Sequence, residues 1–178
     1  RDLQTADRLN DKHIKAACTL IARQFAVLGL QDTLEADSSR GMQPVDLSRL
    51  SLQPHHTGSP EHWCWSSNYK GTIGFWDSIF ERPNNWTRMQ IAAIYGTGQP
   101  LLPITVYPFW KQQGGKACGY GTIGGMLEMA RGKSPAEVSQ IKFDQSKMAS
   151  HLLSCFEAGV LTPFPTVAAS RAVPQPSP

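Results

Sequence analysis

Apolar residues recur at helical spacing from Asn10 onward. Ile14, Ala17, Cys18, Ile21 and Phe25 fall on one stripe, with Asn10 or Asp11 as cap and Gly29 as stop. The same reading gives a short helix from Trp86 to Tyr95, closed by Gly96, and one from about Cys118 to Arg131. A last helix carries Met148, Leu152, Cys155 and Phe156 as its stripe and ends at Gly159. Strand patterning is confined to the middle of the chain. His62 to Ser67 and Thr72 to Asp77 are short runs rich in Trp, Phe, Ile and Thr, and Ile104-Thr105-Val106-Tyr107 reads as a buried strand. Residues 36–60, rich in Ser, Pro, Gly and Gln, read as loop, with at most a short strand at Val45–Leu50. Residues 1–161 are therefore expected to form one domain. Residues 162–178 form a Pro-rich tail expected to be disordered.

The two middle runs flank Asn68-Tyr69-Lys70-Gly71, which has the chemistry of a four-residue hairpin loop. With that loop, Ser67 faces Thr72, Trp65 faces Gly74, Trp63 faces Trp76 and His62 faces Asp77. Opposed residues share a face, with Cβ atoms about 5 Å apart. An imidazole opposed to a carboxylate is held in one tautomer and one orientation, as a catalytic base requires. A slip of one residue would separate the pair. Large apolar groups occupy both faces, with Cys64, Ile73 and Phe75 on one and Trp63, Trp65 and Trp76 on the other. The hairpin should lie inside a sheet covered on both sides.

A second cluster follows the strand at 104–107. Gln112-Gln113-Gly114-Gly115-Lys116-Ala117-Cys118 leads through a glycine loop to a cysteine that opens a helix. Helix N-terminal amides and the macrodipole favour thiolate over thiol. The Cys118 amide and the Gln112 carboxamide can donate to an oxyanion, about 3 kcal/mol per donor. Gly119, Gly121, Gly124 and Gly125 each cost a helix about 1 kcal/mol relative to Ala, so close packing against the sheet should compensate. Cys64 is a rival nucleophile with no helix start behind it. Cys18 and Cys155 fall on apolar stripes and read as core. His55 and His56 are expected in solvent, and His13 and His151 on helix surfaces.

Composition narrows the classes of function. The chain has 178 residues, 40% hydrophobic and 17% charged, enough for one domain with a sizeable core. A net charge of +3 without a dense Lys/Arg block does not indicate nucleic-acid binding. No apolar run approaches the roughly 20 residues of a membrane span. Four scattered cysteines without a Cys-x-x-Cys pair disfavour zinc or a disulfide framework, and no metal or cofactor is implied. A reducing setting, nucleus or cytoplasm, is expected. Asn85-Trp86-Thr87 fits a glycosylation acceptor, but Asn85 reads equally well as a helix cap.

Taken together, these segments resemble the ubiquitin-like-protein protease family, the SUMO-protease and adenovirus-protease group of cysteine peptidases. The resemblance runs from about Leu9 to Glu157. It rests on Leu9-Asn10-Asp11 with Ile14, on His62-Trp63, on Trp76-Asp77-Ser78, and on Gln112 through Cys118-Gly119. Phe143 to Met148, Cys155-Phe156-Glu157 and Leu161 to Pro165 are similar to a divergent, sometimes transposon-associated subgroup. The resemblance implies an α+β papain-like fold, a central mixed sheet flanked by helices. It also implies cleavage after the diglycine terminus of a ubiquitin-like modifier or its conjugate. Cys118 would be nucleophile, His62 base and acid, Asp77 orienter and Gln112 oxyanion donor. Trp63 would roof a narrow channel, with Gly114 and Gly115 beside the substrate. Ala117 stands where the family usually has Asp, and Arg8 where its opening motif usually has Trp. Those departures keep a weakly catalytic modifier-binding module in view. A third reading, an acyltransferase with the same order of base, acid and cysteine, lacks a basic pocket suited to acetyl-coenzyme A.

Overall fold

Trp65 and Trp76 stack at 4.7 Å across two neighbouring strands, both fully buried. Each large side chain removed from water contributes roughly 2–3 kcal/mol, and the stacked pair adds about 1 kcal/mol. In the computed structural model, which describes residues 7–58, 61–96 and 101–167, five strands surround this pair. They are β1 (Leu28–Gly29), β2 (Ser51–His56), β3 (Trp63–Tyr69), β4 (Thr72–Trp76) and β5 (Thr105–Val106), in spatial order β1-β2-β3-β4-β5. The outer pairs are parallel and the inner pairs antiparallel, so the sheet is mixed.

Helices cover both faces. On one lie α1 (Asp11–Gln24), α3 (Cys118–Ala130) and α5 (Gln145–Ala158), whose Ile14, Ile21, Ile123, Met126, Met148 and Leu152 share a core with Trp63, Trp65 and Trp76. On the other, α2 (Asn85–Tyr95) packs Ile91, Ile94 and Tyr95 against Cys64, Ile73 and Phe75. The faces are divided as the alternation along the hairpin demands. A short α4 (Pro135–Ser139), opened by a Ser134–Glu137 capping box, was not foreseen.

The hairpin loop has two residues, not four. Tyr69 pairs with Thr72, and Lys70 and Gly71 take positive φ (51° and 83°), which matches the strand twist of a tight hairpin. Asn68 belongs to β3. It is buried, with its amide donating to Leu47 O and Arg49 O, and its side-chain oxygen accepts from Gly71 N across the turn. The register therefore moves by two residues: Trp65 faces Trp76 and Ser67 faces Gly74.

Three other expectations are corrected. The short strand lies at Ser51–His56, not at Val45–Leu50. Pro54 is tolerated inside it because Leu28 and Leu30 donate to Leu50 O and Leu52 O. Even-numbered residues thus turn their polar backbone outward, and at Pro54 β1 has ended. The strand at 104–107 is short and exposed at Thr105 and Val106, because it pairs only with Gly74 and Phe75 at the sheet edge. Its Tyr107 stacks on Trp76 at 4.6 Å. The cap of α2 is Asn84, whose side chain accepts from Thr87 N, and Thr87 of the acceptor triplet is buried. From the segment assigned to the tail, Phe164 is buried and Thr166 bridges to Phe143. Residues 168–178 lie outside those described.

Helix α3 runs as expected, and its glycines meet bulky neighbours. A Cβ on Gly125 would stand 2.6 Å from Trp65 and 2.8 Å from Phe109, and one on Gly121 2.9 Å from Trp110. This close approach seats the helix, and hence its first residue, against the end of the sheet.

Candidate active site

His62 immediately precedes β3 and Asp77 immediately follows β4, so the antiparallel pairing brings both to one end of the sheet. In the observed register they are diagonal neighbours rather than directly opposed. They remain on one face because side chains repeat every two residues. His62 Nε2 donates to Asp77 Oδ1 at 2.7 Å, with both residues buried. The same oxygen accepts from the backbone N–H groups of Ile79 and Phe80 at 2.8 and 2.9 Å. The carboxylate is thereby locked by its own turn. The Phe80 ring meets the imidazole edge-on at 5.2 Å.

Cys118 is the first residue of α3, and Ala117 before it supplies no side-chain cap. The sulfur hydrogen-bonds with His62 and with the backbone N–H groups of Trp63 and Gly119. Since Nε2 of His62 is taken by Asp77, Nδ1 is the nitrogen left for the thiol. Burial alone would raise the thiol pKa, but those bonds and the attraction of His62 lower it. Burial would likewise lower the His62 pKa. Hydrogen bonds to Asp77 and Cys118, and the charges behind them, raise it instead to about 9. Opposite shifts in adjacent groups describe a thiolate–imidazolium pair.

Gln112 reaches the same end of the sheet through Ser78. Its backbone N–H donates to Ser78 O at 3.1 Å, and its side-chain oxygen accepts from Ser78 Oγ at 2.5 Å. Its Nε2 donates to Gly114 O at 2.8 Å. Gly114 takes φ 70°, a conformation that favours glycine. Two further contacts hold the loop, neither read from the sequence. Gln145 makes paired bonds with the backbone of Gln113, at 2.8 and 2.7 Å. The Arg8 guanidinium donates to Gly115 O at 3.1 Å and Glu61 O at 3.3 Å, tying the loop before Cys118 to the residue before His62. Trp63 is buried, and its indole N–H donates to Leu9 O at 3.0 Å.

The remaining cysteines and histidines sort by environment. Cys64 is fully buried, and burial followed by the Asp77 charge pushes its thiol well above the ordinary range, which removes it as a nucleophile. Cys18 is pushed up to about 12, chiefly by burial. His55 does not lie in solvent. It is buried on β2, with Nδ1 bonded to Gln90 Oε1 at 2.8 Å and Nε2 to Ser66 Oγ at 2.6 Å. His56 is half-buried beside Trp63, at 4.9 Å between rings. His13 completes the α1 capping box with Asn10. His151 sits 3.5 Å from Cys155 Sγ, but its Nε2 is engaged by Thr162 O at 2.9 Å.

No family model matches this chain, and no curated protein matches it in sequence. Solved structures do match. SUMO protease Ulp1 with its catalytic cysteine oxidized to a sulfinic acid gives a TM-score of 0.56 at 15% identity, covering 88% of this chain and 83% of that one. The C-terminal Ulp1 protease domain in complex with Smt3, the yeast ortholog of SUMO, gives 0.53 at 16% identity, covering 85% and 79%. A de-sumoylating protease gives 0.56 at 10%, covering 88% and 83%. At such identities the likeness is one of fold. The chain has a papain-like α+β fold, distantly like that of Ulp1.

Proposed function

We propose that this protein is a cysteine peptidase that cleaves peptide or isopeptide bonds after the C-terminal diglycine of a ubiquitin-like modifier. The observation that carries the reading is the geometry at the start of α3, where Asp77 holds the His62 imidazole at 2.7 Å from behind and His62 bonds to the sulfur of Cys118, an arrangement that lowers the Cys118 pKa and raises that of His62. A buried pair of this kind has little structural merit alone, because desolvation opposes it. It supplies a nucleophile and a proton donor together.

In the proposed reaction, the Cys118 thiolate attacks the carbonyl carbon of the terminal glycine, forming a C–S bond and moving the carbonyl π electrons onto oxygen. The Cys118 amide and the free Gln112 side-chain N–H donate to that oxyanion. His62 passes its proton to the leaving amine nitrogen, and the C–N bond breaks. Water then attacks the thioester while neutral His62 takes its proton. The sulfur departs as thiolate beside the imidazolium, which restores the resting pair, and the acid formed gives its proton to solvent, so the modifier leaves with a carboxylate. Asp77 keeps one tautomer throughout.

The Ulp1 domain bound to Smt3 supports a ubiquitin-like modifier as the substrate class. The test is a panel of ubiquitin-like modifiers carrying a C-terminal electrophile. At least one should form a covalent adduct with the wild-type chain and none with Cys118→Ser. Adducts that persist in the variant, or no adduct with any member, would overturn the proposal.

A further inference from the structure

Gln112 is held at two points by one residue. Ser78 O receives its backbone N–H and Ser78 Oγ donates to its side-chain oxygen. Ser78 is only 3% exposed, so this hydroxyl does not exchange its partner freely for water. A carboxamide has two ends of opposite polarity. If Gln112 turned over, its oxygen would face both Gly114 O and a developing oxyanion, and both contacts would be repulsive. The Ser78 hydroxyl on the oxygen and Gly114 O on the nitrogen hold the orientation that leaves an N–H free to donate.

Ser78 is also the next residue after Asp77, in the turn whose Ile79 and Phe80 amides fix the carboxylate. We infer that Ser78 is a positioning residue for the Gln112 oxyanion donor. The Asp77-Ser78 dipeptide thereby sets the imidazole with one side chain and the carboxamide with the next. A single turn after β4 aligns proton transfer and charge stabilisation, and neither can shift without the other. This inference rests on the peptidase reading above.

The experiment is a double-mutant cycle of Ser78→Ala and Gln112→Ala. Its substrate is the aminomethylcoumarin amide of whichever modifier labels Cys118. Ser78→Ala should lower kcat about ten- to a hundredfold, short of the full loss of an oxyanion donor, with KM changed less than about twofold. In the Gln112→Ala background the same change should lower kcat less than about twofold further. Ser78→Thr, which keeps the hydroxyl, should recover most of the rate. Alkylation of Cys118 by iodoacetamide, which needs no oxyanion donor, should keep its wild-type pH profile in Ser78→Ala. A full additional loss in the Gln112→Ala background, or an altered alkylation profile, would show that Ser78 acts elsewhere. An active wild type with unimpaired Ser78→Ala would overturn this inference alone. A wild type that neither labels nor turns over would overturn both.

Discussion

Replacing Asp77 by Asn tests the ion pair directly. The substitution keeps the shape, and its side-chain oxygen can still accept from the Ile79 and Phe80 amides, but the negative charge beside His62 is gone. The wild-type imidazolium persists to about pH 9 instead of the ordinary 6.5. That difference corresponds to about 3 kcal/mol favouring the charged ring. It is a net figure, since burial pulls the other way and Asp77 and Cys118 share the opposing work. If Asp77 supplies about half, its loss lowers the His62 pKa by more than about one unit. A ring that holds its proton less tightly also supports the thiolate less, so the Cys118 pKa rises. The active window must narrow from both sides. Its alkaline limb in kcat/KM should fall from near pH 9, and the acid limb of Cys118 alkylation should move up. Iodoacetamide labelling followed by intact mass over pH 5–10, with Cys118→Ser as the blank, reads the second limb. The first comes from turnover of an aminocoumarin substrate. Both limbs unmoved in Asp77→Asn, or a wild-type Cys118 that titrates like a free thiol, would refute the reasoning.

Burial holds the His55 pKa down to about 4. The unfolded chain therefore binds that proton more tightly, and the His55 contribution is fully present above about pH 6.5 and lost as pH falls towards 4. Urea unfolding should show about 3 kcal/mol of acid-dependent loss across that window, largely absent in His55→Gln. Gly125→Ala should destabilise by roughly 1–3 kcal/mol, because a Cβ 2.6 Å from Trp65 outweighs the gain of about 1 kcal/mol in helix propensity. A raised urea midpoint would contradict the packing argument. Arg8→Ala removes the tie between Glu61 and Gly115. It should quicken iodoacetamide access to Cys118 several-fold without moving the pH midpoint; an unchanged rate would mean that the tie does not limit access.

What the sequence disclosed, and what it hid, follows from the range of the forces involved. Helices α1, α3 and α5 were legible because cap and stripe lie within one short segment, as with Asn10 and Ile14 to Ile21, although α1 ends at Gln24, short of the stop expected at Gly29. Strand β2 was not, because Ser51-Leu52-Gln53-Pro54-His55-His56 owes its burial to distant partners. Gln90 on α2 and Ser66 on β3 satisfy His55, which composition would place in water. Strand β1 and helix α4, with two and five residues, carry no period to read. The pins on the loop before Cys118 were hidden for the same reason, since Arg8 and Gln145 lie 107 and 32 residues from their partners on it.

The candidate site survived a wrong loop for a definite reason. A four-residue turn and a two-residue turn differ by two in register, which equals the period of side chains along a strand. Every residue therefore stayed on its assigned face, and His62 and Asp77 exchanged a direct opposition for a diagonal one. The imidazole is long enough to span that diagonal and still bond at 2.7 Å. An odd error would have turned His62 and Cys64 to the face of Trp76 and left Asp77 with Trp63 and Trp65. Alternation of Cys64 and Phe75 against Trp63, Trp65 and Trp76 excluded that outcome, because it would have sent both cores to the wrong helices. The binding constraint was thus the parity of the apolar pattern rather than the turn. Inserting one residue between Lys70 and Gly71 should therefore be absorbed as a bulge that leaves the His62–Asp77 bond intact. The raised His62 pKa, read by its NMR titration, would persist in that variant. A return to the ordinary imidazole value would show that the turn, and not the two cores, sets the register.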